Sequence, residues 1–182
     1  MPSWDDVAGD PTTYEKTYNP EGNALTLMSM NVRPDLQSRG LARKLIGSIQ
    51  QVAKDMQVEH IIGSFRPNEF GKYKHKTPGC SFEEYCAMTR DDGLPIDSWL
   101  RNLTRNGMKP LKIDHRAMVV DVPLADFYEI QMLHKPEMWQ IVHSQDEIQV
   151  VECGEVGNWH VDIGNQKATY IESNIWGTIP IK

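Results

Sequence analysis

Met30-Asn31-Val32-Arg33-Pro34-Asp35-Leu36-Gln37-Ser38-Arg39-Gly40-Leu41-Ala42-Arg43 leads from an apolar segment, through a loop broken by proline, into the head of a periodic helix. Proline has no N–H to donate, so Pro34 ends strand pairing. A helix N-terminus carries about four N–H groups without intrahelical partners and roughly half a unit of positive charge. Placed behind a strand, such a terminus is an anion site for a phosphate or pyrophosphate. Close approach of backbone to phosphate requires small residues; Gly40 and Ala42 supply them, and Gly40 can adopt a positive φ. Arg39, Arg43 and Lys44 add cations at the rim.

Upstream of the loop, Leu25 to Val32 mixes apolar and small polar residues on both faces, the pattern of a central strand. Downstream, Leu41, Leu45, Ile49, Val52 and Met56 recur at three- and four-residue steps, which predicts an amphipathic helix with those residues as its apolar stripe. His60 to Phe65 reads as the strand that follows. Two strands joined by one helix form a β-loop-α-β unit, whose crossover normally links parallel strands in a right-handed sense.

Residues 1–24 read as irregular and residues 66–80 as a loop rich in Lys, Gly and Pro. Ser81 with Glu84 has the capping-box pattern and starts a short helix over Phe82 to Arg90. Asp97 as N-cap and Gly107 as stop bracket a second short helix ending at Asn106. Leu111 to Val122 reads as a strand. From residue 125 a helix or turn precedes short strands at Ile148–Cys153, Trp159–Ile163 and Ala168–Glu172, with turns at Gly154, Gly157 and Gly164-Asn165 that suit a meander. The expected organisation is one domain over 1–182: an irregular segment 1–24, a ligand-binding core 25–123 and a C-terminal extension 124–182.

The 182 residues are 40% hydrophobic and 24% charged, a globular composition long enough for one domain with its own core. The formal net charge of −6 argues against nucleic acid as a partner, since phosphate contacts need clustered Lys and Arg. No apolar run is long enough to suggest a membrane span, and the first residues have neither the basic nor the apolar region of a signal peptide. Cys80, Cys86 and Cys153 form no C-x-x-C pair, and the six histidines show no metal-ligand spacing. The expectation is a cytoplasmic protein without a metal site, in which the cysteines are inert thiols and Trp99, Trp139, Trp159 and Trp176 are core or tail-docking residues.

Val32-x-Pro34 followed by Gln37-x-x-Gly40-x-Ala42 resembles the acyl-CoA signature of the GNAT superfamily of acetyltransferases, Q/R-x-x-G-x-G/A after a strand ending in V-x-P. The resemblance implies a GNAT-like α/β (α+β) fold, with a mixed central sheet, flanking helices, a reduced N-terminal part and a C-terminal β-meander. It implies that the backbone N–H groups of Gln37, Ser38, Arg39, Gly40, Leu41 and Ala42 hold the CoA pyrophosphate. Met30, Asn31 and Val32 then pair with the pantetheine like an added strand, and an N–H near Asn31 polarises the acyl carbonyl. The implied co-substrate is acetyl-CoA or another short acyl-CoA, and the implied acceptor is an amine on a small molecule or peptide. Less specifically, the resemblance runs from about Trp4 to Val122, with Asn106-Gly107-Met108 similar to the helix–Gly–apolar step of the family. The arrangement is also similar to GNAT-like domains of polyketide synthase loading modules.

Two departures bear on the chemistry. Only 24 residues stand before the strand at Leu25, where the family has a strand, two helices and two further strands. A missing N-terminal half and a homodimer both remain open as readings. The position that often holds a thiolate-protonating Tyr, four residues before the Gly, is Leu103. A base must then come from elsewhere, because an ammonium is not a nucleophile. The candidates are Glu69 and His75, with Tyr73, in the loop after the second strand. Two other functions fit the same motif: a GNAT-like decarboxylase or S-acyltransferase, and a degenerate domain that binds CoA without catalysis.

Overall fold

The structure, a computed structural model, describes residues 4–9, 18–133, 139–143, 148–152 and 155–182. In chain order the elements are α1 (Trp4–Ala8), β1 (Ala24–Leu27), α2 (Leu41–Asp55), β2 (His60–Phe65), α3 (Phe70–Lys76), α4 (Phe82–Ala87), α5 (Ser98–Arg105), β3 (Lys109–Pro123), α6 (Leu124–Leu133), β4 (Trp139–His143), β5 (Ile148–Glu152), β6 (Asn158–Asp162) and β7 (Lys167–Ile179). β1 and β2 are parallel, as a strand–helix–strand crossover requires, and every other pairing is antiparallel.

β7 organises the sheet. Along one edge it pairs with β3; along the other it pairs with β2 through Ile175–Ile179 and with β6 through Lys167–Ile171. Glu172, Ser173 and Asn174 fall between those two neighbours, at a seam where β2 has ended and β6 has not joined. β3 bulges opposite this seam: its register on β7 jumps between Asp114, level with Asn174, and Met118, level with Glu172. In the middle of the β2–β7 contact, Gly63 pairs with Gly177. A Cβ at Gly63 would lie 2.8 Å from the Phe65 ring, and one at Gly177 2.8 Å from Met108 Sδ and 3.1 Å from the same ring. The paired glycines make room for Phe65 and Met108 in the core.

That main core gathers Ile46, Ile61, Phe65, Phe70, Tyr85 and Leu103 with their neighbours, while a second cluster forms around Phe127, Trp159 and Tyr170. Trp176 is buried, in keeping with the core role expected of it, whereas Trp99 is only half-buried. Ser81 and Glu84 close the capping box on α4, and Asp97 caps α5 while Gly107 follows it at φ 90°.

Several expectations are corrected. Residues 1–24 are not wholly irregular, since α1 occupies Trp4–Ala8. β1 stops at Leu27 instead of reaching Val32, because it leaves β2 there. The loop 66–80 contains α3, and α4 ends at Ala87, short of Arg90. On α2, the helix buries Ile46, Gln50 and Ala53 and leaves Leu45, Val52 and Met56 at 42%, 48% and 54% exposure. The polar Gln50 hides the true buried line from a periodicity argument; it tolerates burial because its Nε2 donates to Pro180 O at 2.8 Å. The last strand is longer than Ala168–Glu172: with β4, β5 and β6 it makes the expected antiparallel meander, and its second half runs on between β2 and β3 inside the sheet. The expected turn at Gly154 and the third cysteine, Cys153, lie outside the described residues.

The seam is braced by a buried lysine. Lys74 of α3, 8% exposed, donates from Nζ to Val156 O at 2.8 Å, Gly157 O at 2.7 Å and Asn158 Oδ1 at 2.6 Å. Burial lowers its pKa to about 8, against the raising pull of Glu155 and Glu172. Lys74→Met fills the space but strands those acceptors, so urea unfolding is expected to show a loss of ~1–3 kcal/mol, the usual cost of unsatisfied buried groups. Unchanged stability would mean that the segment before β6 is held by other contacts.

Candidate active site

A cleft of about 890 Å³ opens where β1 and β2 part. Their last pair is Leu27–Gly63; β2 then runs on to Phe65, while residues 28–33 leave the sheet. The Met28 carbonyl, released from the ladder, accepts from the indole Nε1 of Trp4 at 3.3 Å. Counting on from the last pairs, Met30 stands level with Arg66 and Asn174, and Val32 level with Glu172, across the widening gap. The volume is in the range of small-molecule and cofactor sites.

The mouth of the cleft is the loop between β1 and α2. A short 3-10 turn at Pro34–Leu36 starts it, and Arg33 grips Asp35 through Nε at 2.6 Å and Nη2 at 2.7 Å. Gln37 folds back so that Nε2 donates to Val32 O at 3.0 Å, tying the end of the strand to the head of the helix. Ser38 and Gly40 take positive φ, 61° and 75°. A Cβ at Gly40 would meet no atom within 4 Å, so glycine is required there by its backbone angle and not by helix–sheet packing. No side chain among the described residues caps α2. The first N–H groups of a 15-residue helix therefore stand open beside the cleft. Of the residues expected to hold the cofactor, Met30, Asn31, Val32, Gln37, Ser38, Gly40, Leu41, Ala42 and Arg43 all line the cleft, and Arg39 does not.

The opposite wall is α5, whose own N-terminus is fully capped. Asp97 accepts from Trp99 N and Leu100 N at 3.0 Å, and Glu69 Oε2 accepts from Ser98 N at 2.8 Å. Glu69 is thereby committed to helix capping, and neither it nor His75 is among the residues lining the cleft. Tyr73 stacks on Tyr85 at 5.0 Å in the core. Leu103 is fully buried and presents an apolar surface to the cleft, while Thr104 Oγ1 donates to Leu100 O at 2.8 Å within its own helix.

The floor carries polar groups that the sequence reading did not single out. Glu172, 2% exposed, lines the cleft with Asn174 and Arg66. Its Oε2 accepts from Tyr170 Oη at 3.0 Å and lies 3.4 Å from Arg66 Nε; turned to its better orientation, the Asn174 amide donates to Oε1 at 3.2 Å. Arg66 Nη2 also binds Glu155 Oε2 at 2.8 Å, and Gly157 N donates to the Tyr170 oxygen at 3.0 Å. Burial pushes the Glu172 carboxyl above the usual carboxylate range, with Arg66 and Tyr170 opposing. Burial and the neighbouring carboxylates raise Tyr170, which stays protonated. A signal for this floor exists in the sequence: Ala168, Tyr170, Glu172, Asn174 and Trp176 alternate as the buried face of one strand. Ending that strand at Glu172 hides it.

Neither described cysteine is an activated thiol. Burial pushes Cys86 up to about 12, helped by Asp97 and Glu83, and burial with Glu84 raises Cys80. Among the described residues no group of His, Cys, Asp and Glu is placed to hold a metal ion, and no helix is long and apolar enough to cross a membrane.

No family model matches the chain. A protein of Bacillus subtilis (strain 168) named as an uncharacterized N-acetyltransferase, YkwB, is 24% identical over 98 residues, which cover 54% of this chain and 42% of the relative. Among solved structures, the loading GNATL domain of CurA from Lyngbya majuscula superposes with a TM-score of 0.53 at 18% identity, over 93% of this chain and 61% of that one. The chain thus spans less than two thirds of the length of either protein. Its fold is GNAT-like, a mixed sheet with flanking helices, and the chain is related to the GNAT superfamily. Since Glu69 works as a cap, Glu69→Ala is expected to cost about 1 kcal/mol in chemical denaturation, the value of one such hydrogen bond, and to leave acyl-CoA affinity unchanged by calorimetry.

Proposed function

We propose that this chain binds an acyl-CoA in the cleft between β1 and β2 and transfers its acyl group to an amine. The observation that carries this reading is the uncapped head of α2, with Gly40 in the left-handed region, standing beside strand residues that have left the sheet. In this reading the open N–H groups from Ser38 to Ala42 take the pyrophosphate, that of Gln37 being given to Pro34 O at 3.3 Å, and Arg43 adds a cation nearby. The backbone of Met30 and Asn31 and the N–H of Val32, no longer paired with β2, are free to pair with the pantetheine amides, while the Val32 carbonyl is held by Gln37. The acyl group then lies level with Arg66 and Asn174, where an N–H near Asn31 stabilises the oxyanion. Acetyl-CoA is the first co-substrate to try. The name of the Bacillus subtilis protein, an uncharacterized N-acetyltransferase, agrees with a reaction of this class.

The decarboxylase reading calls for a hydroxyl–histidine pair over a carboxylate, and the described residues lining the cleft include no histidine. Neither of the two described cysteines, Cys80 and Cys86, lines the cleft, which disfavours transfer through them. A domain that binds CoA without catalysis differs from the proposal only in turnover.

Thermal shift and calorimetry with acetyl-CoA and CoA test the binding. Ligand at about 100 times its Kd should stabilise the fold by ~2.7 kcal/mol. Gly40→Glu places bulk and negative charge in the open space at the loop and forces a non-glycine residue to φ 75°. It is expected to abolish binding while the far-UV spectrum stays that of a folded chain. No stabilisation of the wild type at millimolar acetyl-CoA would remove the proposal.

A further inference from the structure

Resting on that reading, we propose that Glu172 is the proton acceptor of the cleft, taking the proton that the attacking nucleophile must lose, directly or through one water. Four observations converge on it. Glu172 is a buried carboxylate that lines the cleft. It lies at the seam of the sheet, where β7 has lost β2 and not yet gained β6, so no neighbouring strand covers that edge. By register it stands level with Val32, two residues beyond the Met30–Asn174 level where the strand carries the acyl end. Its carboxylate is oriented by Tyr170 and Arg66 on one oxygen and Asn174 on the other, which holds it in place without neutralising it by a bidentate ion pair.

The charged and titratable groups around it are Arg66, Tyr170, Glu155 and Lys74. Tyr170 remains a proton donor to Glu172, and the Arg66 guanidinium is shared with Glu155, which accepts its shorter bond. Burial raises the carboxyl from its ordinary value, toward the range in which a base operates near neutral pH. In the reaction the substrate ammonium gives one proton to Glu172 and becomes nucleophilic. Its nitrogen forms a bond to the acyl carbon, and the C–S bond breaks. The second nitrogen proton passes to the departing CoA thiolate, and Glu172 releases its proton to solvent.

Raised folded-state pKa values have a defined sign in stability. A carboxyl shifted upward contributes stability below its unfolded pKa that is lost as pH rises through the folded pKa. Glu172→Gln should therefore have a Tm at or above that of wild type at pH 8, with the advantage shrinking toward pH 4. A glutamate kept only to hold Arg66 and Tyr170 would instead leave the Gln variant less stable at pH 8.

The deciding experiment measures thiol release from acetyl-CoA between pH 5 and 9, with water alone and with a mixture of lysine, ethanolamine and spermidine. CoA affinity is measured in parallel by calorimetry. For Glu172→Gln the expected result is a fall of about a hundredfold or more in kcat, within the usual worth of acid–base assistance. CoA affinity should be unchanged, and the acidic limb of the wild-type pH profile lost. Glu172→Asp should recover part of the rate. Full activity in Glu172→Gln overturns the assignment, as does a wild type that binds CoA yet releases no thiol. A Gln variant less stable at pH 8 that loses CoA binding in step with rate overturns it as well. A wild type that fails to bind CoA sinks the acyl-CoA reading itself, a separate outcome.

Discussion

The parting of β1 from β2 after the Leu27–Gly63 pair is the constraint from which the site follows. A strand that leaves its partner releases backbone N–H and C=O groups that must find others. One is met at once, by the Trp4 indole on the Met28 carbonyl, and a second by Gln37 on the Val32 carbonyl. Those two bonds bracket the departed segment and tie it down beside the gap. The cleft is therefore a feature of the backbone, with its side chains arranged around an interrupted ladder.

Two helix termini differ in how their first N–H groups are met. The head of α5 is saturated: Asp97, itself buried and bonded to Tyr85 and Glu69 N, accepts from two N–H groups, and Glu69 accepts from a third. The head of α2 has a glycine in its N-cap position and no side-chain acceptor. An uncapped helix forgoes about 1 kcal/mol, an omission that makes physical sense where an exogenous anion completes the cap.

The seam along β7 is the other organising feature. A strand with different partners on the two halves of one edge leaves an intermediate stretch whose polar groups are satisfied by side chains. Here Lys74 and Tyr170 bond the backbone of Val156 and Gly157, just before β6, while Arg66 pairs with Glu155 and Glu172. Buried charges of this kind are costly unless paired. Their placement at the floor of a cleft, where the neighbouring strand has ended, links the break in the sheet to Glu172, the one carboxylate among the described residues that lines the cleft.

From the sequence alone, the strand–loop–helix unit, its parallel crossover, the N-caps at Ser81 and Asp97 and the residues of the loop from Gln37 to Arg43 were all legible. Each rests on signals within a dozen residues: a proline that stops pairing, a glycine at a helix head, a hydroxyl or carboxylate before a periodic run. What tertiary structure decided is of longer range. That β1 ends at Leu27 depends on where β2 and Trp4 lie, and that α2 turns Ile46 and Ala53 inward depends on Pro180 accepting from Gln50. Glu69 reads as a base near an open end, but a helix that begins 29 residues further on recruits it as a cap. Glu172 stands 140 residues beyond Val32 in the chain and lines the same cleft only because β7 inserts beside β2. No local pattern encodes that contact, since strand order in a sheet is set by which buried faces pack together and not by spacing along the chain.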